Sequence, residues 1–407
     1  MHGCVSIWKG IAQVSTQSEK TATYIPLSVP HISGNEWEYI KSCLDDGWVS
    51  SVGAFVNRFE QEFAAYVGQK FGVATSSGTS ALHTALMVAG IERDDEVMVS
   101  DLTFIASVNS ITYVGAHPVL MDVEPNYLQM DVAKVADFLG KECEHRAGGL
   151  INKSTGRRVK AIMPVHVLGH PVDMQPLRQL ADKYGLMIIN DASESVGTLY
   201  HGSPVTRWAE ISAYSFNGNK IMTTGSGGMV TTDDEAFAKR AKYLTTQAKD
   251  DPVEYVHEEV GYNYRLSNLQ AALGVAQLEQ IERFVAKKRR IAARYESGLK
   301  DMRGLCLMRE APDVFSTYWL YTVQINADEY GCDSRALMAR LKAANIEARP
   351  LWRPMHLLTP YQRAQAYKIE VTDVLYQQSL SLPSSVGLTD EEQDRVIGVV
   401  RNTADAL

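Results

Sequence analysis

A mainly parallel α/β sheet followed by a smaller α+β unit is the fold class this sequence predicts, and three observations predict it. Apolar strand-like runs alternate with helical stretches through the first two thirds of the chain. Those runs are apolar on both faces, as central strands covered by helices on each side must be. The chain has 407 residues, more than one hydrophobic core usually supports, so a second packed unit is expected.

The elements follow in order. Phe71 to Thr75 reads as a strand, Ser80 to Val88 as a helix, Glu96 to Ser100 as a strand, Ile105 to Val114 as a helix and Pro118 to Val123 as a strand. Val159 to Val165 and Leu186 to Asn190 are further buried strands, with the helix Asp173 to Tyr184 between them, and Ile211 to Ser215 is another strand. From Asn268 to about Leu299 the composition is helical without a proline, which predicts one long helix leading out of the large unit. It carries Lys287-Lys288-Arg289-Arg290, a basic run expected to form a solvated face. Beyond it, Thr317 to Ile325 alternates like a strand and Ser334 to Asn345 reads as a helix. A last helix, Thr389 to Val400, is opened by Thr389 and Glu392 in capping-box spacing. The expected division is an arm over residues 1–24, a large domain over 25–285 and a small one over 286–407.

Composition narrows the function classes. Hydrophobic residues make up 45% and charged residues 22%, the balance of a globular protein with a sizeable core. Forty Lys and Arg against 48 Asp and Glu give a net charge of −8, which offers no general attraction to nucleic acid. No apolar run approaches the ~20 residues that cross a bilayer, and the first residues lack a signal-peptide pattern, so no membrane role and a cytoplasmic location are expected. Cys4, Cys43, Cys143, Cys306 and Cys332 are odd in number and scattered, so neither a disulfide framework nor a metal site is expected.

Three features carry chemistry. Ser76-Ser-Gly-Thr-Ser80 lies between a strand and a helix, where small residues and free N–H groups can cradle an anion. Asp191 follows a central strand, at the sheet edge where open α/β folds bind ligands; it could equally cap the segment Ala192 to Val196. Lys220 ends Ser215-Phe-Asn-Gly-Asn-Lys220, just before the glycine-rich Thr223 to Gly228, where a lysine desolvated in a pocket can act as an amine nucleophile. Together they are the parts that pyridoxal 5'-phosphate requires: a lysine for the Schiff base, a carboxylate for the pyridinium N–H and a helix N-terminus for the phosphate.

The order of these and other segments resembles the DegT family of nucleotide-sugar aminotransferases, of pyridoxal-phosphate fold type I, over roughly residues 25 to 403. The matching segments are Ser77 to Leu82, Thr103 to Ser107, Asp191 to Ser195, Ser215 to Lys220, Gly261 to Ala272 and Arg349 to His356. The resemblance implies Lys220 and Asp191 as catalytic residues, with Gly78, Thr79, Ser80 and Ser215 around the phosphate and Phe104 stacked on the ring. Glu194 would face the cofactor's phenolic oxygen, at a position where many members carry Gln or His. It also implies L-glutamate as amino donor, a nucleotide-linked ketosugar as acceptor, and a homodimer in which Asn263 reaches the neighbour's phosphate. His356 and Arg265 are the expected substrate-binding residues. Gly47 to Gly53 resembles the branch that aminates C4 of UDP-2-acetamido-2,6-dideoxy-4-ketohexose, with GDP- and dTDP-linked 4-keto-6-deoxy sugars as alternatives. A non-catalytic regulator on the same fold is a further alternative, against which Lys220 and Asp191 argue.

Overall fold

The computed structural model describes residues 23–251 and 253–405; the expected N-terminal arm lies, up to residue 22, outside the described residues. Twelve strands matter for the site. They are β1 Phe71–Thr75, β2 Glu96–Ser100, β3 His117–Met121, β4 Val159–Met163, β5 Met187–Asp191, β6 Ile211–Ser215, β7 Gly228–Thr232, β8 Leu305–Leu307, β9 Tyr321–Ile325, β10 Arg349–Pro350, β11 Gln365–Tyr367 and β12 Ser379–Leu382. The large sheet has the order β1-β7-β6-β5-β4-β2-β3-β11. All its neighbours are parallel except that β7 runs antiparallel to both β1 and β6. Register then sets Gly228, at the start of β7, opposite both Thr75 and Ser215, and Asp191 opposite Ala213. One edge of the sheet thus collects the ends of β1, β5 and β6 and the beginning of β7.

Strand side chains alternate between two cores, because successive residues of a strand face opposite ways. Val97, Val99, Ala161 and Ile189 enter one core; Met98, Ile162 and Ile188 enter the other. The first core is covered by α1 Glu36–Asp45, α2 Ala54–Tyr66, α3 Gly78–Val88 and α4 Ile105–Tyr113, and the second by α5 Val132–Lys141 and α6 Met174–Tyr184. Helix α3 starts in a reciprocal capping box between Ser77 and Ser80.

The predicted long helix is two: α7 Asn268–Leu278 and α8 Ile281–Leu299, broken at Glu279 and Gln280. Side chains from α1 and α2 grip the break, with Tyr39 and Arg58 on Glu279 and Glu36 on the Gln280 amide. Helix α8 straddles two cores. Ile281 and Val285 pack into the first, while Ile291, Tyr295 and Leu299 join a third core with Ile25, Tyr321, Val323, Leu380 and Val396. That third core is lined by the antiparallel sheet β8-β9-β12-β10 and by α9 Ser334–Ala343 and α10 Asp390–Asp405. The capping box of α10 forms as its spacing predicts, with Glu392 N–H donating to Thr389 Oγ1 and Thr389 N–H to Glu392 Oε2. The basic run departs from expectation, since Lys288 is 2% exposed. Its neighbours Arg289 and Arg290 pair with Glu310 and Asp390. Among the described residues, no helix is long and apolar enough to cross a membrane.

The C-terminal part is also pinned to the large sheet. Asp122, fully buried after β3, accepts hydrogen bonds from Lys134 Nζ, the N–H groups of Glu370, Val371 and Thr372, and Thr372 Oγ1, at 2.7–3.0 Å. Burial alone would raise its pKa, but the Lys134 ammonium and these donors outweigh burial and hold it down to about 2. A carboxyl lowered on folding stabilises above its ordinary value of 3.8 and loses that stabilisation as pH falls through about 2. Asp122 should therefore account for about 2 kcal/mol of the stability lost on acidification from about pH 4 to pH 2. Urea unfolding of wild type and Asp122→Asn across that range checks this; parallel acid profiles for the two proteins would contradict it.

Candidate active site

At the collecting edge of the sheet lies a cavity of about 300 Å³, walled by Gly78, Thr79, Phe104, Asp191, Glu194, Ser215, Lys220, Trp319 and Trp352 among others. Each side chain reaches it for a local reason. Asp191 is the last residue of β5; its carboxylate accepts hydrogen bonds from Ser107 Oγ at 2.7 Å and from Ser193 N–H at 3.1 Å. The second bond is the local turn contact that a capping aspartate makes, while the first comes from α4 and aims the carboxylate. Phe104 stands at the N-cap position of α4 and is 55% exposed, a large aromatic face left open on the cavity wall.

Lys220 closes the turn after β6, its N–H donating to Asn217 C=O at 3.0 Å. Its Nζ lies 3.2 Å from Glu194 Oε1 and 4.0 Å from the centroid of the Trp319 indole. Glu194 also accepts from the N–H of Leu168 at 2.8 Å. Its pKa is pushed up by burial, against the opposing pull of Lys220 and Leu168 N–H, with the negative charge of Asp191 adding to the rise. Lys220 thus sits between an acidic partner and an aromatic face, and both restrict where its amine can go.

The anion cradle is made by close packing. A Cβ on Gly78 would stand 2.6 Å from Ser215 Cβ, so only glycine lets the start of α3 meet the end of β6. A Cβ on Gly228 would meet Ser77 C=O at 2.4 Å. The N–H groups of Gly78 and Thr79 belong to the first helical turn, which has no acceptors within the helix. These groups fit pyridoxal phosphate: an amine, a fixed carboxylate, an open aromatic face and an anion cradle surround one cavity of suitable size.

The other expected residues lie elsewhere. Ser80 Oγ is taken up by the capping box with Ser77, and its residue is not part of the cavity wall. Asn263 is exposed and bridges Thr246, while Arg265 bridges Thr75; their segment lies against the cradle loop through Ser76 N–H to Tyr264 C=O, 2.7 Å. His356 is held outside the cavity by Asp101, with Nδ1 at 2.8 Å and its N–H at 2.9 Å, and its Nε2 lies 3.5 Å from Asp373. Sequence reasoning missed Ser107, Trp319 and Trp352. Trp319 sits in the stretch read as a strand from Thr317, but β9 begins only at Tyr321. Trp319 N–H instead donates to Leu168 C=O, and its indole N–H to Asn219 C=O at 2.7 Å.

The sequence pattern of the DegT/DnrJ/EryC1/StrS aminotransferase family matches residues 30–401. The chain belongs to that family and is a pyridoxal-phosphate-dependent sugar aminotransferase. It is similar to the GDP-perosamine synthase of Caulobacter vibrioides, 38% identical over 380 residues that cover 92% of this chain and 97% of that protein. The GDP-perosamine synthase of Escherichia coli O157:H7 is 37% identical over 369 residues, 91% of this chain and 95% of that one. Among solved structures, DesV of S. venezuelae superposes with a TM-score of 0.81 at 31% identity, covering 92% of this chain and 95% of the other.

Proposed function

We propose that this enzyme moves an amino group from L-glutamate to C4 of a nucleotide-linked 4-keto-6-deoxy sugar, and that Lys220 is the group at which the amine and the proton change hands. The observation that carries this reading is the placing of Lys220 Nζ at 3.2 Å from Glu194 and 4.0 Å from the Trp319 ring centre, in one cavity with Asp191. Bound pyridoxal phosphate supplies an electron sink for the carbon that gains or loses the amine. Asp191, aimed by Ser107 and Ser193, is the carboxylate that would keep the ring nitrogen of that group protonated. The Gly78 and Thr79 N–H groups and the Ser215 hydroxyl would hold its phosphate, and the open Phe104 face would be available to its ring. Lys220 Nζ takes a proton from the reacting carbon and returns it, base and then acid. Glu194 holds Nζ when it is charged.

For the sugar, the resemblance of Gly47 to Gly53 supports UDP-2-acetamido-2,6-dideoxy-4-ketohexose. A GDP-linked 4-keto-6-deoxy sugar is the second reading, favoured by the two GDP-perosamine synthases. Incubating the enzyme and L-glutamate with UDP-, GDP- and dTDP-linked ketosugars and weighing the products by mass spectrometry separates these. The UDP product should dominate and Lys220→Ala should give none; amination of none of the panel by the wild type, or turnover by the variant, would sink the proposal.

A homodimer with shared sites completes the proposal. Asn263 is exposed beside the cradle loop, and Leu44, Trp48, Val49 and Val52 leave an apolar surface nearby, Trp48 C=O and Ser50 C=O being bonded by Asn268 at the start of α7. Mixing inactive Lys220→Ala with inactive Asn263→Asp subunits should restore one working site per mixed dimer. Exchange of subunits without recovered activity would refute sharing.

A further inference from the structure

Lys288 is a buried cation that the chemistry above does not use. It stands in the middle of α8, 2% exposed, and its Nζ donates to two main-chain carbonyls, Trp319 at 2.8 Å and Ser384 at 2.5 Å. Among the described residues no carboxylate lies within ion-pair distance of it; the acids near its neighbours, Glu310 and Asp390, are bound by Arg289 and by Arg290. A lysine buried without a counter-ion is costly, and burial pushes its pKa down to about 7. What Lys288 contributes is directional: its ammonium satisfies two buried carbonyls and draws them to one point.

Trp319 stands in the cavity wall, whereas Ser384 follows β12, on the side of the third core. Trp319 presents its indole to Lys220 Nζ at 4.0 Å, stacks nearly parallel on Trp352 with ring centres 6.4 Å apart, and donates its ring N–H to Asn219 C=O. That Asn219 carbonyl begins the peptide of Lys220 itself, and Ser28 Oγ donates to it as well, at 2.9 Å. Ser384 ties the N-terminal segment to the third core, its N–H on Leu27 C=O and its Oγ receiving Tyr321 N–H. We infer that Lys288 is a positioning residue: by fixing the carbonyls of Trp319 and Ser384 it sets the indole against which the Lys220 amine moves.

The inference rests on Lys220 as the reactive lysine. Lys288→Met leaves both carbonyls without this donor and should fold with lowered thermal stability, and it should also slow both the glutamate half-reaction and the capture of pyridoxal phosphate by the apoprotein by about tenfold or more, the effect of a small misplacement at a reacting centre. Capture is followed by absorbance in the absence of substrate. Lys288→Arg, which can also donate to two carbonyls, should recover part of both rates. In the Trp319→Phe background the methionine change should add little, since the indole it positions is gone. Wild-type rates in Lys288→Met, an equal slowing in both backgrounds, or failure of Lys288→Met to fold would overturn the positioning role. Capture of cofactor by a Lys220→Ala control at the wild-type rate would instead overturn the site assignment, whatever Lys288 does.

Discussion

The parallel pairing of β5 with β6, closed by the antiparallel insertion of β7, is the constraint on which the site depends. Parallel strands end at the same edge, so Asp191 and Ser215 are delivered together by register alone. The reversed strand brings Gly228 to that edge from the other direction, opposite Thr75 and Ser215. The close approach of Gly228 to Ser77 and of Gly78 to Ser215 then leaves no room for a side chain at either glycine. The candidate anion cradle arises from this packing, and among the described residues Lys220 is the cationic side chain in the cavity wall.

Electrostatics complete what register begins. Among the described residues, two carboxylates, Asp191 and Glu194, share the cavity with one ammonium, Lys220. Asp191 is compensated by hydroxyl and N–H donors, whereas Glu194 leans on Lys220 and on Leu168 N–H. Removing Lys220 therefore also strands a buried acid, and a variant at 220 reports on charge as well as on chemistry. Leu168 adopts a left-handed conformation, φ 60°, in the short turn that supplies this N–H, so backbone geometry there is spent on the acid that holds the lysine.

Six of the large sheet's eight strands were legible because they are apolar runs with glycine-rich or acidic punctuation, and both signals are local; the reversed strand β7 and the edge strand β11 were not read. The same locality made Asp191, Ser215 and Lys220 readable as strand-end residues. Trp319 and Trp352 were not readable, because an indole in a sequence looks like core, and only the turn of the chain at Tyr318, φ 48°, and the bond to Leu168 carry Trp319 to the cavity. Lys288 was misread for the complementary reason: a run of four cations suggests a wet face, and its burial depends on carbonyls 31 and 96 residues away. The break of the long helix at Gln280 likewise depends on Glu36, far back in the chain.

In the proposed function, Lys220 is the lysine that holds the cofactor in this cavity. Borohydride treatment of the purified protein with bound pyridoxal phosphate, followed by digestion and peptide mass spectrometry, identifies that lysine. The added cofactor mass is expected on the peptide that contains Lys220 and on no other lysine. Stoichiometric label on a different lysine, with Lys220 unmodified, would contradict it.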